Sequence, residues 1–256
     1  MSEPLLEVEG LTKRFGSLRA VDEVGFTVEA GALDALIGPN GAGKTTLFNT
    51  VSGLERPDGG RVRLAGRRID GFAPHEVFAA GVARTFQIPR PFPEMTVLEN
   101  VMLVPPGQSG ERFWNNWLAP RTVRREEVRN RERAREIIAF CGLEPVMGDL
   151  ARTLSGGQLK LLELARALIA EPRIILLDEP AAGVNPVLME TLVEKITALN
   201  ARGHAFLVIE HNMDLVMSIC RRIMVMAEGR LIYSGSADGA RRDPTVLDAY
   251  LGGLPE

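Results

Sequence analysis

The chain is poor in cysteine, tryptophan and tyrosine, with two of each among 256 residues, and has only three histidines. Cys141 and Cys220 both lie in apolar, helix-like stretches, so they read as buried free thiols of a reducing compartment rather than the staples of a secreted scaffold. A strong excess of either charge is also missing. Thirty basic against 33 acidic side chains leave a net charge of −3, which gives no electrostatic case for nucleic-acid binding. Long apolar runs are lacking too. The aliphatic stretch Ile174–Leu177 is far short of the roughly 20 residues needed to span a bilayer. The opening "MSEPLLEVEG" is acidic and has no apolar core of the signal-peptide kind. No internal repeat or low-complexity linker is visible. What remains, at 45% hydrophobic and 25% charged, is an ordinary globular composition. It points to a soluble cytosolic protein, one still able to dock onto a membrane partner.

Strand signals come first along the chain. "LLEVEGL", "VGFTVEAG" and "GGRVRLAG" alternate apolar and polar residues between glycine turns and predict a small antiparallel sheet. "GALDALIG" predicts a strand running into a glycine-rich loop, and "KTTLFNTVSG" the helix after it, closed by Gly53. "GVARTFQ", "RIILLDE" and "HAFLVIEH" are further strands. Apolar strands that alternate with helices predict a parallel sheet covered on both faces. Between Gln87 and Leu154 the character changes to helix. Thr96 and Glu99 form a capping-box pattern, and "TVRREEVRNRERAREIIAFCGL" predicts a long polar-faced helix in which Glu127 stands four residues before Arg131. "FWNNWL" holds both tryptophans and reads as local packing, with a partner-facing patch as the alternative. In the tail, Asp243 is placed as a cap, Pro244 as the first helical residue and Gly252 as the stop, which predicts a docking helix.

The segment from Gly38 to Thr45, "GPNGAGKT", fits G-x-x-x-x-G-K-[ST] between an apolar strand and a helix, where a phosphate-binding loop must lie. Gly38, Gly41 and Gly43 let the backbone bend so that N–H groups face inward as an anion nest. The helix that follows adds its positive end. Lys44 can reach outer phosphates and Thr45 offers a hydroxyl to Mg²⁺. The pattern specifies a nucleoside triphosphate but not the reaction it drives. Asp178 and Glu179 end a buried strand at the sheet edge where ligands of open α/β sheets bind. One carboxylate there suits Mg²⁺ and the next suits activation of a water. His211 ends the next strand on the same edge, whereas His75 and His204 lack such context and read as surface residues. Ser155-Gly156-Gly157-Gln158 is a second helix start. Ser155 and Gln158 satisfy a capping box, but a cap needs no pair of glycines, and two missing side chains leave N–H groups approachable by a phosphate. One short chain thus carries two anion-binding elements.

In this order "GPNGAGKTT", "LSGGQ", "ILLDEP" and "IEHN" resemble the nucleotide-binding subunit of an ATP-binding cassette (ABC) transporter, over essentially the whole chain. The resemblance implies an α/β fold: a P-loop NTPase (RecA-like) core with an N-terminal antiparallel β subdomain and an inserted α-helical subdomain. On this basis residues 1–86 and 160–235 form the ATP-binding core, 87–159 the helical subdomain with the signature motif, and 236–256 a C-terminal docking tail. The resemblance also implies roles. Phe15 stacks on adenine. Gly38, Pro39, Asn40, Gly41, Ala42, Gly43, Lys44, Thr45 and Thr46 bind the phosphates. Thr45, Gln87 and Asp178 serve Mg²⁺. Glu179 is the general base and His211 contacts the γ-phosphate. It resolves the question of two anion elements as well, since such subunits pack head to tail. Ser155, Gly156, Gly157 and Gln158 of one would cover the ATP held by the other.

"DEPAAGVNP", "EHNMDLVM" and "DPTVLDAYLGG" resemble the branch that takes up branched-chain and other hydrophobic amino acids. Two departures stand out from the wider family. Asn185 occupies a dimer-facing position that usually carries Asp, which removes a carboxylate from an ionic contact across the dimer. The adenine stack is Phe rather than Tyr. The implied function is ATP hydrolysis, with ATP and Mg²⁺, driving import through separate permease subunits. A second ATPase subunit, identical or not, completes the motor, a solute-binding protein acts indirectly, and the location is the cytoplasmic face of the membrane. An exporter motor for lipid or lipopolysaccharide, or a soluble ABC ATPase that transports nothing, are the alternatives.

Overall fold

The computed structural model describes residues 4–85, 91–105, 114, 117 and 120–251. The chain divides into two compact units. One comprises Met1–Gln87, Pro172–Ala182 and Ile196–Glu256, and the other Ile88–Glu171 and Gly183–Lys195.

In the first unit, β1 (Leu6–Phe15), β2 (Leu18–Val28), β4 (Gly59–Leu64) and β5 (Arg67–Arg68) form an antiparallel sheet in the order β2-β1-β4-β5. The second sheet has the order β10-β9-β3-β8-β7-β6. Its members are β3 (Leu33–Ile37), β6 (Val82–Arg84), β7 (Ile174–Asp178), β8 (Ala205–Ile209), β9 (Arg222–Ala227) and β10 (Arg230–Gly235). All neighbours in it run parallel except β9 and β10. Every residue of β3, β7 and β8 is buried, and the three strands are apolar apart from Asp34 in β3 and Asp178 at the end of β7. Helix α1 (Lys44–Val51) follows β3 and sets Leu47 and Phe48 fully into a core shared with Leu6, Leu36 and Leu207.

The antiparallel sheet and the parallel strands follow the sequence-based expectation. The β9–β10 hairpin was not anticipated. It turns through Glu228 and Gly229, both at positive φ, the conformation of a tight two-residue hairpin turn. Its strand β9 pairs directly with β3, on the side opposite β8. The C-terminal helices α8 (Ala237–Arg242) and α9 (Pro244–Leu251) end this unit. Asp243 Oδ1 accepts from the N–H groups of Thr245 and Val246, as a cap should. Gly252 lies outside the described residues.

The second unit is helical. Thr96 and Glu99 form the expected reciprocal cap on α3 (Val97–Met102), with Thr96 N–H donating to Glu99 at 2.8 Å and Glu99 N–H to Thr96 Oγ1 at 3.2 Å. Helix α4 (Pro120–Phe140) buries only Val123, Ala134 and Ile138, which accounts for its polar sequence. Helix α5 (Gly156–Leu168) belongs to this unit in full, so the boundary expected at residue 160 falls inside a helix whose contacts lie on the helical side through Glu171. Trp114 and Trp117 are 72% and 79% exposed. One reading needs correction. His204 is half-buried rather than a surface residue, and that burial lowers its pKa. Cys141 and Cys220 are free and buried, and burial pushes both thiols up to about 12. Among the described residues no helix is long and apolar enough to cross a membrane.

Candidate functional site

Parallel pairing of β3, β8 and β7 brings the chain just past Ile37, Ile209 and Asp178 to one edge of the sheet. A cavity of about 560 Å³ opens there, lined by Phe15, the loop residues 40–46, Glu179 and His211. The glycines of the loop divide by cause. A side chain at Gly38 would overlap the carbonyl of Met226, and one at Gly43 the carbonyl of Ala20, so close packing on β9 and β2 demands glycine at both. Gly41 meets nothing within 4 Å. It sits at φ +78°, where the left-handed backbone is the reason for glycine. Gly43 caps α1 with no side-chain hydrogen bond, which leaves the helix start open to an anion.

Lys44 is 6% exposed and folds back on its own loop, donating to the carbonyls of Gly38 (2.8 Å) and Pro39 (2.9 Å). Burial lowers its pKa, and the nearby carboxylates of Glu179 and Asp178 oppose that shift. The ammonium is therefore held at the floor of the loop by weak carbonyl acceptors. Phosphate oxygens are stronger acceptors for it.

Glu179 stands at φ +48°, a sparsely populated conformation for a residue with a side chain. Its Oε1 lies 2.8 Å from Nε2 of His211, so the acid and the histidine placed separately from sequence meet across the ends of β7 and β8. The Glu179 side chain is 18% and that of His211 43% exposed, within reach of solvent water. Asp178 is buried, and its Oδ2 accepts from Arg84 at 2.8 Å. Arg84 also donates to Asn49 Oδ1 at 2.7 Å and Ser52 Oγ at 3.1 Å, tying α1 to the acidic strand end. Thr45 is exposed at the start of α1. A hydroxyl and a carboxylate form an oxygen-only donor set, which fits a hard cation such as Mg²⁺. No group of three or more acidic, histidine or cysteine side chains suited to a metal occurs among the described residues. Mg²⁺ ordinarily takes one or two protein oxygens and completes its shell with phosphate and water. Gln87 lies outside the described residues.

Phe15 is 48% exposed, and Lys13 Nζ lies 5.3 Å from its ring centroid, anchored by the carbonyl of Arg56 at 2.9 Å. A half-exposed ring at the cavity edge offers a stacking surface for a base.

Sequence reasoning passed over Arg84 and Glu210. Glu210 is 3% exposed and accepts three backbone N–H groups, from Ala181, His211 and Asn212. Each residue carried a signal, a charge at the end of an apolar strand, but the partners of Arg84 and the Ala181 donor of Glu210 lie on other elements.

The second glycine-bearing helix start belongs to the helical unit and forms its capping box. Ser155 N–H donates to Gln158 Oε1 at 2.9 Å, and Gln158 N–H to Ser155 Oγ at 3.3 Å. Its two glycines differ. Gly156 is exposed with nothing within 4 Å of a notional side chain. Gly157 is buried, and a side chain there would overlap Leu188, so internal packing explains that glycine. Asn185 caps α6 (Pro186–Ala201), accepting from Leu188 N–H at 2.9 Å.

Residues 21–182 match the family described as ABC transporter. The high-affinity branched-chain amino acid transport ATP-binding protein BraF of Pseudomonas aeruginosa is 42% identical, over 98% of this chain and 99% of that protein. A crystal structure of the ADP conformation of an ATP-binding cassette of an ABC transporter superposes with a TM-score of 0.84. It is 37% identical and covers 98% of this chain and 100% of that one. A dimeric post-hydrolysis cassette bound to ADP and Pi gives a TM-score of 0.75 at 25% identity, over 91% of this chain and 98% of that one.

Proposed function

The chain belongs to the ABC transporter family, and from that premise we infer that it is the ATP-binding and ATP-hydrolysing subunit of an importer for branched-chain or other hydrophobic amino acids. The observation that carries the hydrolytic reading is the meeting of Lys44, Glu179 and His211 on one cavity, with Glu179 and His211 2.8 Å apart. The likeness to BraF over nearly the full length of both proteins supports the cargo class.

In the proposed reaction the loop N–H groups from Gly38 to Thr46 and the ammonium of Lys44 bind the phosphates, while Phe15 stacks on adenine. Thr45 and Asp178, with Gln87, would hold Mg²⁺, which offsets phosphate charge when bound. Glu179 takes a proton from a water as its oxygen bonds to the γ-phosphorus and the bond to the bridging oxygen breaks, leaving ADP and phosphate. His211 holds the Glu179 carboxylate through their hydrogen bond and faces the γ-phosphate. Two subunits pack as a two-fold dimer, so that Ser155–Gln158 of one covers the nucleotide of the other, with Asn185 near the shared boundary. The dimeric cassette holding ADP and Pi supports this assembly. Docked on permease subunits, the pair sits on the cytoplasmic face of the membrane.

Lys44→Ala and Ser155→Arg test the shared site. Each abolishes ATPase activity alone. Mixed at equal amounts, half the dimers are mixed and carry one undamaged site, which returns about a quarter of wild-type activity when a single site turns over. A mixture as dead as its parents, with mixed dimers verified by two tags, would overturn the assembly. Leucine uptake in vesicles carrying the cognate permease tests the cargo, and ATP-driven uptake that ignores aliphatic amino acids would overturn that assignment.

A further inference from the structure

The strands β7 and β8 end level with each other, Asp178 opposite Ile209, and a last backbone bond joins Glu179 N–H to the Ile209 carbonyl at 2.9 Å. Past that bond the two loops are joined by a side chain. Glu210 Oε1 accepts from Ala181 N–H at 2.8 Å, on the loop that carries Glu179. Its Oε2 accepts from His211 N–H at 2.9 Å and from Asn212 N–H at 3.2 Å, on its own loop. One buried carboxylate thus spends one oxygen on each loop.

We propose that Glu210 is a positioning residue that sets the Glu179–His211 pair in register by clamping the two loops that carry them. The proposal rests on the hydrolytic reading of Glu179. Glu179 occupies a left-handed backbone, and such a conformation persists only where its surroundings over-determine it. Ala181 is buried, so its N–H has no recourse to water if the clamp is lost. A carboxylate is all acceptor, and here both oxygens are used. Glutamine has one acceptor oxygen, and its amide NH₂ would face a donor N–H on one loop or the other. Glu210→Gln is therefore nearly the same size but unable to serve both loops.

The chain has three histidines, so the ring-nitrogen NMR spectrum of ¹⁵N-histidine-labelled protein is simple, and His211→Ala assigns the signal. In Glu179→Gln the His211 ring signals move because their partner has changed. In Glu210→Gln the same signals move while those of His75 and His204 stay, and kcat falls about 10- to 100-fold, the scale of a slight misplacement of a reacting group. ATP affinity stays within about twofold, because the phosphate loop is untouched. Glu210→Asp keeps both acceptors on a shorter arm and recovers part of the rate. The clamp is refuted if the His211 signals or kcat are unchanged in Glu210→Gln. It is also refuted if ATP affinity falls as far as kcat in both variants, the mark of general structural damage. Hydrolysis surviving in Glu179→Gln would instead overturn the hydrolytic reading. The His211 signals in Glu210→Gln would still report on the clamp.

Discussion

The helices α1 and α5 both begin at glycine-bearing turns, and the two starts are built in opposite ways. At α1 the cap is Gly43, with φ 95° and no side-chain bond, and the glycines on either side of the turn are pressed against the carbonyls of Met226 and Ala20. A buried lysine closes the floor. The N–H groups are left for a ligand and the counter-charge is already in place. At α5 the cap is Ser155, and its capping box satisfies two of the N–H groups that an anion would otherwise take. Ser155–Gln158 carries no charged side chain, and Gly156 faces open space. The first start is a nest that one chain completes. The second is capped and carries no charge of its own, and under the proposed assembly it would meet a phosphate that the other subunit holds.

Damage around the first start should therefore act on the isolated chain, and damage at the exposed Gly156 of the second only on the assembled one. The largest effect is expected at Glu179→Gln, which lowers hydrolysis by about 10²–10⁴-fold with ATP binding intact, as removal of a positioned base does. Phosphate release and an ATP titration read the two separately, and a variant keeping more than half its rate would remove Glu179 from this role. Gly43→Ala comes next. Overlap with Ala20 and the left-handed backbone each cost about 1–3 kcal/mol, so the urea midpoint and ATP affinity both fall. Wild-type affinity and stability in this variant would show that the nest tolerates what its packing forbids. Phe15→Ala weakens ATP by about 1–3 kcal/mol while Phe15→Tyr is neutral, since a base needs the ring and not the hydroxyl. Equal affinity in all three proteins places the adenine elsewhere. The smallest effect on the isolated chain is expected at Gly156→Ala. Nothing lies within 4 Å, and stability changes by no more than about 1 kcal/mol. ATP affinity of the isolated chain is unchanged, yet steady-state hydrolysis falls because a methyl group now sits at the second helix start. Full hydrolysis in Gly156→Ala would break the comparison.

Much of this architecture was readable before any fold was known, and the readable parts share a property. The loop from Gly38 to Thr45, the capping boxes at Thr96 and Ser155 and the cap at Asp243 are each complete within a few residues. Local chemistry decides them, because a cap or a nest uses backbone groups adjacent in the chain. The buried strands β3, β7 and β8 were readable for a related reason: burial on both faces leaves mostly apolar residues, with Asp34 the exception inside β3.

What the sequence by itself determined is therefore the inventory: a phosphate loop, an acid pair, a histidine at a strand end and a second, capped helix start. Only the tertiary structure decided which of these meet. Strand order set β8 between β3 and β7, and thereby put His211 2.8 Å from Glu179. The same order gave Glu210 its donor on Ala181, paired Arg84 with Asp178, and set β9 close enough to Gly38 to exclude every side chain there. Each of these contacts joins residues far apart in the chain. A side chain's own sequence neighbourhood does not specify such a partner, because the sheet supplies it by fixing which strand lies alongside.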